Sequence, residues 1–354
     1  MSILDKLKKN STIKETAILS DSKFFADKDM VQTKIPVINI ALSGRLDGGL
    51  TPGLTMWAGP SKHFKTAFSL LMAKSYLEKY KDAVLLFYDS EFGTPKSYFE
   101  SFGIDMTRVL HTPLTDIEQL KFDIMNQIKE INRGDKVIIV IDSIGNLASK
   151  KEVEDALSEK SAADMTRAKQ IKSLFRMVTP HLTLKDIPMV VVNHTYMEIG
   201  MFPKAIVGGG TGSYYSADNI YIIGRQQEKD GSEITGYNFI INVEKSRYVR
   251  EKSKIPVTVS HNGGISTWSG LLEIALDSGH VVKPTNGWYS RVNTETGEVE
   301  DKKFRAKDTD TKDFWLPVLR DKTFADYIKN KYQVSNGSIV SEEEVDEIFG
   351  KDSK

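Results

Sequence analysis

Leu54-Thr-Met-Trp-Ala58, followed by Gly59-Pro60-Ser61-Lys62-His63-Phe64-Lys65-Thr66, is where the fold declares itself. The first five residues are an apolar run of strand length. The helical periodicity of Lys65–Tyr80 begins directly after the loop. Strand, loop and helix N-terminus form the context in which a loop can hold phosphate. Its backbone N–H groups converge on an anion and the helix end adds partial positive charge. On that reading Gly59 to Thr66 cradle a nucleotide. Lys65 reaches the β- and γ-phosphates, and the Thr66 hydroxyl coordinates magnesium. Phe64 stands where a glycine usually precedes the lysine. If that position is left-handed, a non-glycine residue there costs about 1–2 kcal/mol. Taken alone, the loop is equally compatible with an ordinary strand–helix turn.

Outward from the loop the same alternation continues. Ala83–Tyr88, Val137–Ile141 and Pro188–Val192 are short apolar runs, and Thr115–Arg133 and Ala162–His181 are amphipathic stretches between or beside them. Continuous apolar runs joined by helices predict an α/β fold: a mostly parallel central sheet flanked by helices on both faces. Asn219–Ile223, Tyr237–Val243 and Ile255–Ser260 follow one another with polar turns and are expected to extend the sheet as hairpins. Pro256 suits an edge or a strand entry. Three regions are expected. Residues 1–30 form a short helix, with Leu4, Leu7 and Ile13 at helical spacing, and a linker. Residues 31–282 form the core. Residues 283–354 form a small C-terminal α/β appendage, with helices near Thr311–Tyr332 and Ser341–Phe349 and an acidic tail.

A parallel sheet gathers the C-terminal ends of its strands, where ligands bind. Asp142 ends one run and could hold the water shell of a magnesium ion, although a strand-end Asp also caps helices. Glu91 ends another and could deprotonate a water that attacks the γ-phosphate; alone it would read as a surface carboxylate. Asn193 and His194 end a third and could sense that phosphate, although a lone histidine is usually structural.

Composition sets limits on these readings. Lys plus Arg and Asp plus Glu are both 48, so the chain is neutral. Charge is segregated only at the end, where residues 342–354 hold six acids and two lysines, a net of −4 that leaves +4 on the rest. Neutral composition alone does not suggest a nucleic-acid partner. The absence of cysteine excludes disulfides, thiolate-bound zinc and thiol nucleophiles. No apolar run has the length of a membrane span, and the N-terminus lacks the apolar core of a secretory signal.

The order of motifs resembles the RecA family of recombinases. The sequence runs from the phosphate loop to Tyr88-Asp-Ser-Glu91, then Val140-Ile-Asp142-Ser143, then Asn193-His194, Met197-Glu-Ile199-Gly200-Met201-Phe202 and Gly208-Gly209-Gly210. The resemblance covers roughly residues 31–290, and the Met-x-Ile-Gly segment is its most specific part. It implies an ATP-dependent strand-exchange protein that uses ATP and Mg2+ and forms helical filaments on single-stranded DNA. Such a filament pairs that strand with homologous duplex. Tyr98 would stack on adenine. Residues 151–166 would form a first DNA loop, with Arg167 close to the DNA. Residues 197–212 would form a second, in which Met197, Ile199, Gly200, Met201, Phe202, Gly208, Gly209, Gly210 and Gly212 meet DNA and Ile199 wedges between bases. Lys245 and Arg247 would reach a neighbouring subunit's ATP, and the N-terminal helix with Lys34–Asn39 would dock subunits. Ser61–Thr66, Asn146-Leu-Ala-Ser-Lys-Lys151 and the tail most resemble the T-even bacteriophage branch of that family, and the departures from its pattern, Phe64 for glycine, His194 for glutamine and Arg247 for lysine, argue for a divergent phage branch. That branch implies the host cytoplasm, with a recombination mediator and a single-strand-binding protein as partners. The residues alone also admit a ring helicase, or a nucleotide-gated DNA-binding protein without hydrolysis. For 197–212, being both apolar and glycine-rich, the residues admit either a functional loop or a flexible cover.

Overall fold

The computed structural model describes residues 2–22, 28–158, 166–198, 200–201, 203–230, 233–260 and 264–335. An N-terminal helix α1 (Ile3–Asn10) opens with a Ser2–Asp5 capping box and leaves Leu4 and Leu7 exposed. Helix α2 (Pro36–Ser43) begins with proline at its first position and buries Val37, Ile38, Ile40, Ala41 and Leu42 together with the polar Asn39 and Ser43. There follow β1 (Gly53–Ala58), α3 (Lys65–Lys79), β2 (Val84–Asp89), α4 (Lys96–Ser101) and β3 (Val109–Pro113). Asp116 caps α5 (Ile117–Glu130) by accepting from the Gln119 amide at 2.8 Å. Next come β4 (Val137–Asp142), α6 (Lys150–Leu157), α7 (Thr166–Lys185) and β5 (Pro188–Asn193). A hairpin of β6 (Thr195–Met197) and β7 (Ala205–Val207) leads to α8 (Gly210–Ser216). Two long strands, β8 (Asn219–Asp230) and β9 (Glu233–Lys245), are followed by β10 (Lys254–Ser260) and β11 (Gly264–Ile265). The chain then forms α9 (Leu271–Asp277), a separate hairpin β12 (Val281–Thr285) and β13 (Trp288–Arg291), α10 (Lys312–Arg320) and α11 (Lys322–Tyr332).

Nine strands make one sheet in the order β11-β10-β9-β8-β1-β5-β4-β2-β3. From β8 to β3 all neighbours are parallel; β8 to β11 pair antiparallel, as expected of added hairpins. The central strands bury both faces, which is why they read as unbroken apolar runs. Within β4, Ile138 and Val140 face a cluster with α2, α3 and the C-terminal helices, whereas Ile139 and Ile141 face one with α5 and α7. Pro256 lies in β10, near the sheet's edge, where a missing N–H is tolerated. Strand β8 runs well past the expected Ile223, and β9 begins before the expected Tyr237. Their backbones keep pairing beyond the core, where Arg225, Gln226 and Gln227 are exposed and carry no apolar signal. The expected helix at Ser341–Phe349 and the acidic tail lie outside the described residues.

Candidate nucleotide site and nucleic-acid interface

Strand β1 delivers the loop and α3 receives it. Phe64 is left-handed, with φ 62° and ψ 15°, and Lys62 has φ 60°. The strain that the sequence foresees at Phe64 is therefore present. The ring offsets it, packing at 5.8 Å from Phe68 and 5.3 Å from Phe239. Arg225 of β8 donates to the Lys62 carbonyl at 3.1 Å, and His63 Nδ1 meets the Ser61 carbonyl at 2.8 Å. Lys65 is nearly buried, and its ammonium donates to the Pro60 carbonyl at 2.7 Å. Burial lowers its pKa, against the pull of Glu91 and Asp142.

Asp142 closes β4 with 2% exposure. Its Oδ2 accepts from Thr66 Oγ1 at 2.8 Å, while buried Oδ1 has no hydrogen-bond partner among the described residues. Burial pushes the carboxyl up to about 6, the Thr66 hydrogen bond opposes this, and the neighbouring charges of Glu91 and Asp89 add to it. An under-satisfied carboxylate oxygen beside a threonine hydroxyl, at the start of α3, is a hard-oxygen pair that fits Mg2+. No group of three or more His, Asp or Glu that could hold a metal by itself occurs among the described residues.

Glu91 follows β2. Its Oε1 accepts from Ser143 Oγ at 2.7 Å and meets His194 Nε2 at 3.1 Å. A carboxylate only accepts, so Nε2 carries the proton in this contact. The His194 hydrogen bond, with help from Ser143 and against burial, holds Glu91 below its ordinary pKa. Gly145 is required beside this ring: a Cβ there would lie 2.3 Å from His194 Cδ2. Ser61 to Thr66, Glu91, Asp142 and His194 line one cavity of about 420 Å³, with Tyr98 at its side. Tyr98 also lines an adjoining apolar cavity of about 470 Å³ with Phe64, Leu71 and Phe102. The residues expected at the phosphates thus converge in one chain.

The segment after His194 is more ordered than expected. Residues 195–207 include a two-stranded ribbon, pairing Thr195 with Val207 and Met197 with Ala205. Tyr196 and Met197 are more than half exposed, and Met201 is 89% exposed. Ile199 and Phe202 lie outside the described residues, as do 159–165 of the expected first DNA loop. Asn193 joins the ribbon to the nucleotide cavity. Its amide donates to the Gly208 carbonyl at 2.8 Å and its Oδ1 accepts from the His194 N–H at 2.8 Å, while Gly208 N–H donates to the His194 carbonyl. Gly209 and Gly210 have φ of 90° and 72°, a left-handed turn into α8. Gly212 is buried against α7 rather than presented to solvent; a Cβ there would lie 2.5 Å from Lys172 Cβ. Arg167 turns inward, donating to the carbonyls of Ile144, Gly145 and Leu147 at 2.6–3.1 Å.

Lys245 and Arg247 stand elsewhere. The Lys245 ammonium donates to the Tyr214 carbonyl at 2.8 Å and to that of Tyr215 at 3.3 Å, at the end of α8. Arg247 pairs with Asp218, whose other oxygen accepts from the Leu54 N–H at 2.8 Å. That is the start of β1, whereas the phosphate loop leaves its end, about 17 Å away at some 3.3 Å per residue. The two cations do not line their own chain's cavity. Ser143, Ser90, Arg225 and exposed Tyr196 have neighbours that the sequence does not reveal. Ser143 directly follows Asp142, and only the pairing of β2 with β4 shows what it touches.

A strand–loop–helix at the tip of a central parallel strand, Asp142 at the end of β4 and Glu91 just after β2 form an arrangement that fits a nucleotide-binding core. The comparisons agree. The RecA N-terminal domain family matches residues 7–266, and the family described as "Bacteriophage T4, Recombination and repair protein, C-terminal domain" matches residues 268–328. The chain is 54% identical over 350 residues to the recombination and repair protein of Enterobacteria phage T4, covering 97% of this chain and 90% of that one. It is 24% identical over 326 residues to Protein RecA of Clostridioides difficile (strain 630), covering 90% and 89%. Protein RecA of Paracoccus denitrificans is 23% identical over 255 residues, covering 71% and 69%. The chain belongs to the RecA family of recombinases, and its resemblance to the T-even phage branch is borne out. No described helix is long and apolar enough to cross a membrane.

Proposed function

We propose that this chain is an ATP-dependent DNA strand-exchange recombinase: it assembles as a helical filament on single-stranded DNA, pairs it with homologous duplex and hydrolyses ATP. The observation that carries this reading is the unbroken run of hydrogen bonds from Glu91 through His194 and Asn193 to Gly208, which joins the nucleotide cavity to the exposed ribbon. Through such a physical connection a change at the γ-phosphate can bias a nucleic-acid-binding element. The loop amides and Lys65 bind the phosphates, and Tyr98 packs on the base. Thr66 and Asp142 hold Mg2+, which neutralises phosphate charge when bound. Glu91, kept as a carboxylate by His194 and Ser143, orients the attacking water and takes its proton. Lys245 and Arg247 act on the neighbour's nucleotide. Met197, Gly200, Met201, Gly208, Gly209 and Gly210 meet DNA with Ile199 and Phe202, and Arg167 and Gly212 support the loops from within. Residues 1–30 dock subunits, 31–282 form the motor core and 283–354 the appendage. The setting is the host cytoplasm, with a mediator and a single-strand-binding protein as helpers.

The test is strand exchange between circular single strands and homologous linear duplex, with phosphate release followed in parallel. Glu91→Gln should keep nucleotide and DNA binding and lose hydrolysis by about 10²–10⁴-fold, the usual worth of a general base. Hydrolysis at the native rate removes Glu91 as the base, and an intact protein with no exchange of strands removes the recombinase reading.

A further inference from the structure

The carboxylate assigned as general base is held by a residue to which the sequence reading gave no role. Ser143 is wholly buried at the end of β4. Its hydroxyl donates to Glu91 Oε1 at 2.7 Å, closer than His194 at 3.1 Å, and unlike the partly exposed imidazole it is locked in place. The lock is a reciprocal clamp between two strand ends. Ser90 Oγ donates to the Ser143 carbonyl at 2.6 Å and accepts from the Ser143 N–H at 3.1 Å, and the Ser90 N–H donates to the Asp142 carbonyl at 2.8 Å. The Glu91 backbone is fixed independently, since Asp89 Oδ1 accepts from the N–H groups of Glu91 and Phe92 at 3.0 and 2.8 Å.

We infer that Ser143 is the positioning residue of Glu91: its hydroxyl pins Oε1 so that Oε2 is the oxygen offered to water. The inference rests on the reading of Glu91 as the base. The physical reason is rotational. A glutamate side chain has three torsions, and one fixed backbone end does not set where its carboxylate sits. A donor on a rigid frame removes that freedom before substrate arrives, which is what a positioned base requires. His194 alone would hold Oε1 from a partly exposed ring that also follows the ribbon through Asn193. Ser143 therefore keeps the base in place, and His194 couples it to DNA.

Loss of one hydrogen bond to a charged group predicts that Ser143→Ala lowers DNA-stimulated kcat by about 10–100-fold. KM for ATP and affinity for single-stranded DNA should change less than about twofold, since a lost transition-state interaction lowers kcat alone. Ser143→Cys keeps the volume but is a weak donor, so it should lose rate too; a native rate in that variant would make Ser143 a packing residue and overturn the inference. The decisive measurement adds Glu91→Gln. Residues that act as one unit are not additive, so the Glu91→Gln plus Ser143→Ala protein should be no slower than Glu91→Gln alone. A further multiplicative loss, with Glu91→Gln itself impaired, overturns the role of Ser143 and leaves the base standing. A native rate in Glu91→Gln overturns the base, and with it the reason for positioning it.

Discussion

Phe64 shows how far a single residue could be read. Its place before Lys65 marks a left-handed position, and the structure has φ 62° there. What offsets the strain was hidden: Phe68 is one helical turn on, but Phe239 arrives from β9, far along the chain. Phe64→Gly therefore sets two effects against each other. Glycine removes about 1–2 kcal/mol of backbone strain. It also removes a half-buried ring, where complete truncation of a fully buried phenylalanine costs about 3–5 kcal/mol. We expect a net loss of about 1–2 kcal/mol, read from urea unfolding. The loop amides and Lys65 stay, so nucleotide affinity should fall little. An unchanged or raised midpoint would mean that the aromatic packing contributes less than the strain. Lys65, Thr66, Glu91, Asp142 and His194 were legible for a simple reason: each sits at the C-terminal end of an apolar run or just after one, and a parallel sheet brings those ends together. Ser143 and Arg225 were not, because their partners are set by strand pairing and not by local sequence.

At the level of elements, the central strands and the helices α3, α5 and α7 follow the apolar pattern closely, whereas residues 197–212 do not. Methionines and glycines suggested a loop, yet Thr195–Met197 and Ala205–Val207 pair as a ribbon and Gly210–Ser216 is helical. Runs of three residues are too short for periodicity to reveal. The glycines also divide by role. Gly209 and Gly210 make the turn, but Gly212 is glycine because α8 lies directly on Lys172 of α7. Gly212→Ala would place a methyl against both the side chain and the backbone of Lys172, and forced overpacking of this kind costs about 1–3 kcal/mol. We expect a lower unfolding midpoint and weaker binding of a labelled single strand by anisotropy, with nucleotide affinity unaltered. A variant that keeps both its midpoint and its DNA affinity would show that α8 shifts freely on α7, so that its seat does not set the ribbon.

For the whole molecule the question is how the proposed ATP site could be shared between subunits. The C-terminal helices give no second core, since Phe314, Trp315, Phe324 and Ile328 join the cluster that contains Trp57 and Phe239. The same core therefore carries the Gly59–Thr66 loop at the end of β1 and Lys245 with Arg247 near its start. Within a chain the two cations do not line the cavity beside the loop. A head-to-tail contact would bring one subunit's cations to the next subunit's phosphates, and a contact of that kind that does not close makes a helical filament. In the isolated chain both cations have internal partners, the α8 carbonyls and Asp218, so engagement in trans exchanges one set of bonds for another. A mixing experiment separates this from two merely structural cations. Lys65→Ala removes the loop's cation, and Lys245→Ala with Arg247→Ala removes the trans pair, so each protein alone should be inactive. In random copolymers roughly a quarter of the interfaces join an intact loop to intact trans cations, as a head-to-tail contact requires. DNA-dependent phosphate release should reappear in proportion to those interfaces, and it should vanish when either variant is in great excess. Copolymers verified by crosslinking that stay silent would count against a site shared between subunits. Native activity in the Lys245→Ala plus Arg247→Ala protein would leave these residues as the cap of α8 and the partner of Asp218, with no part in hydrolysis.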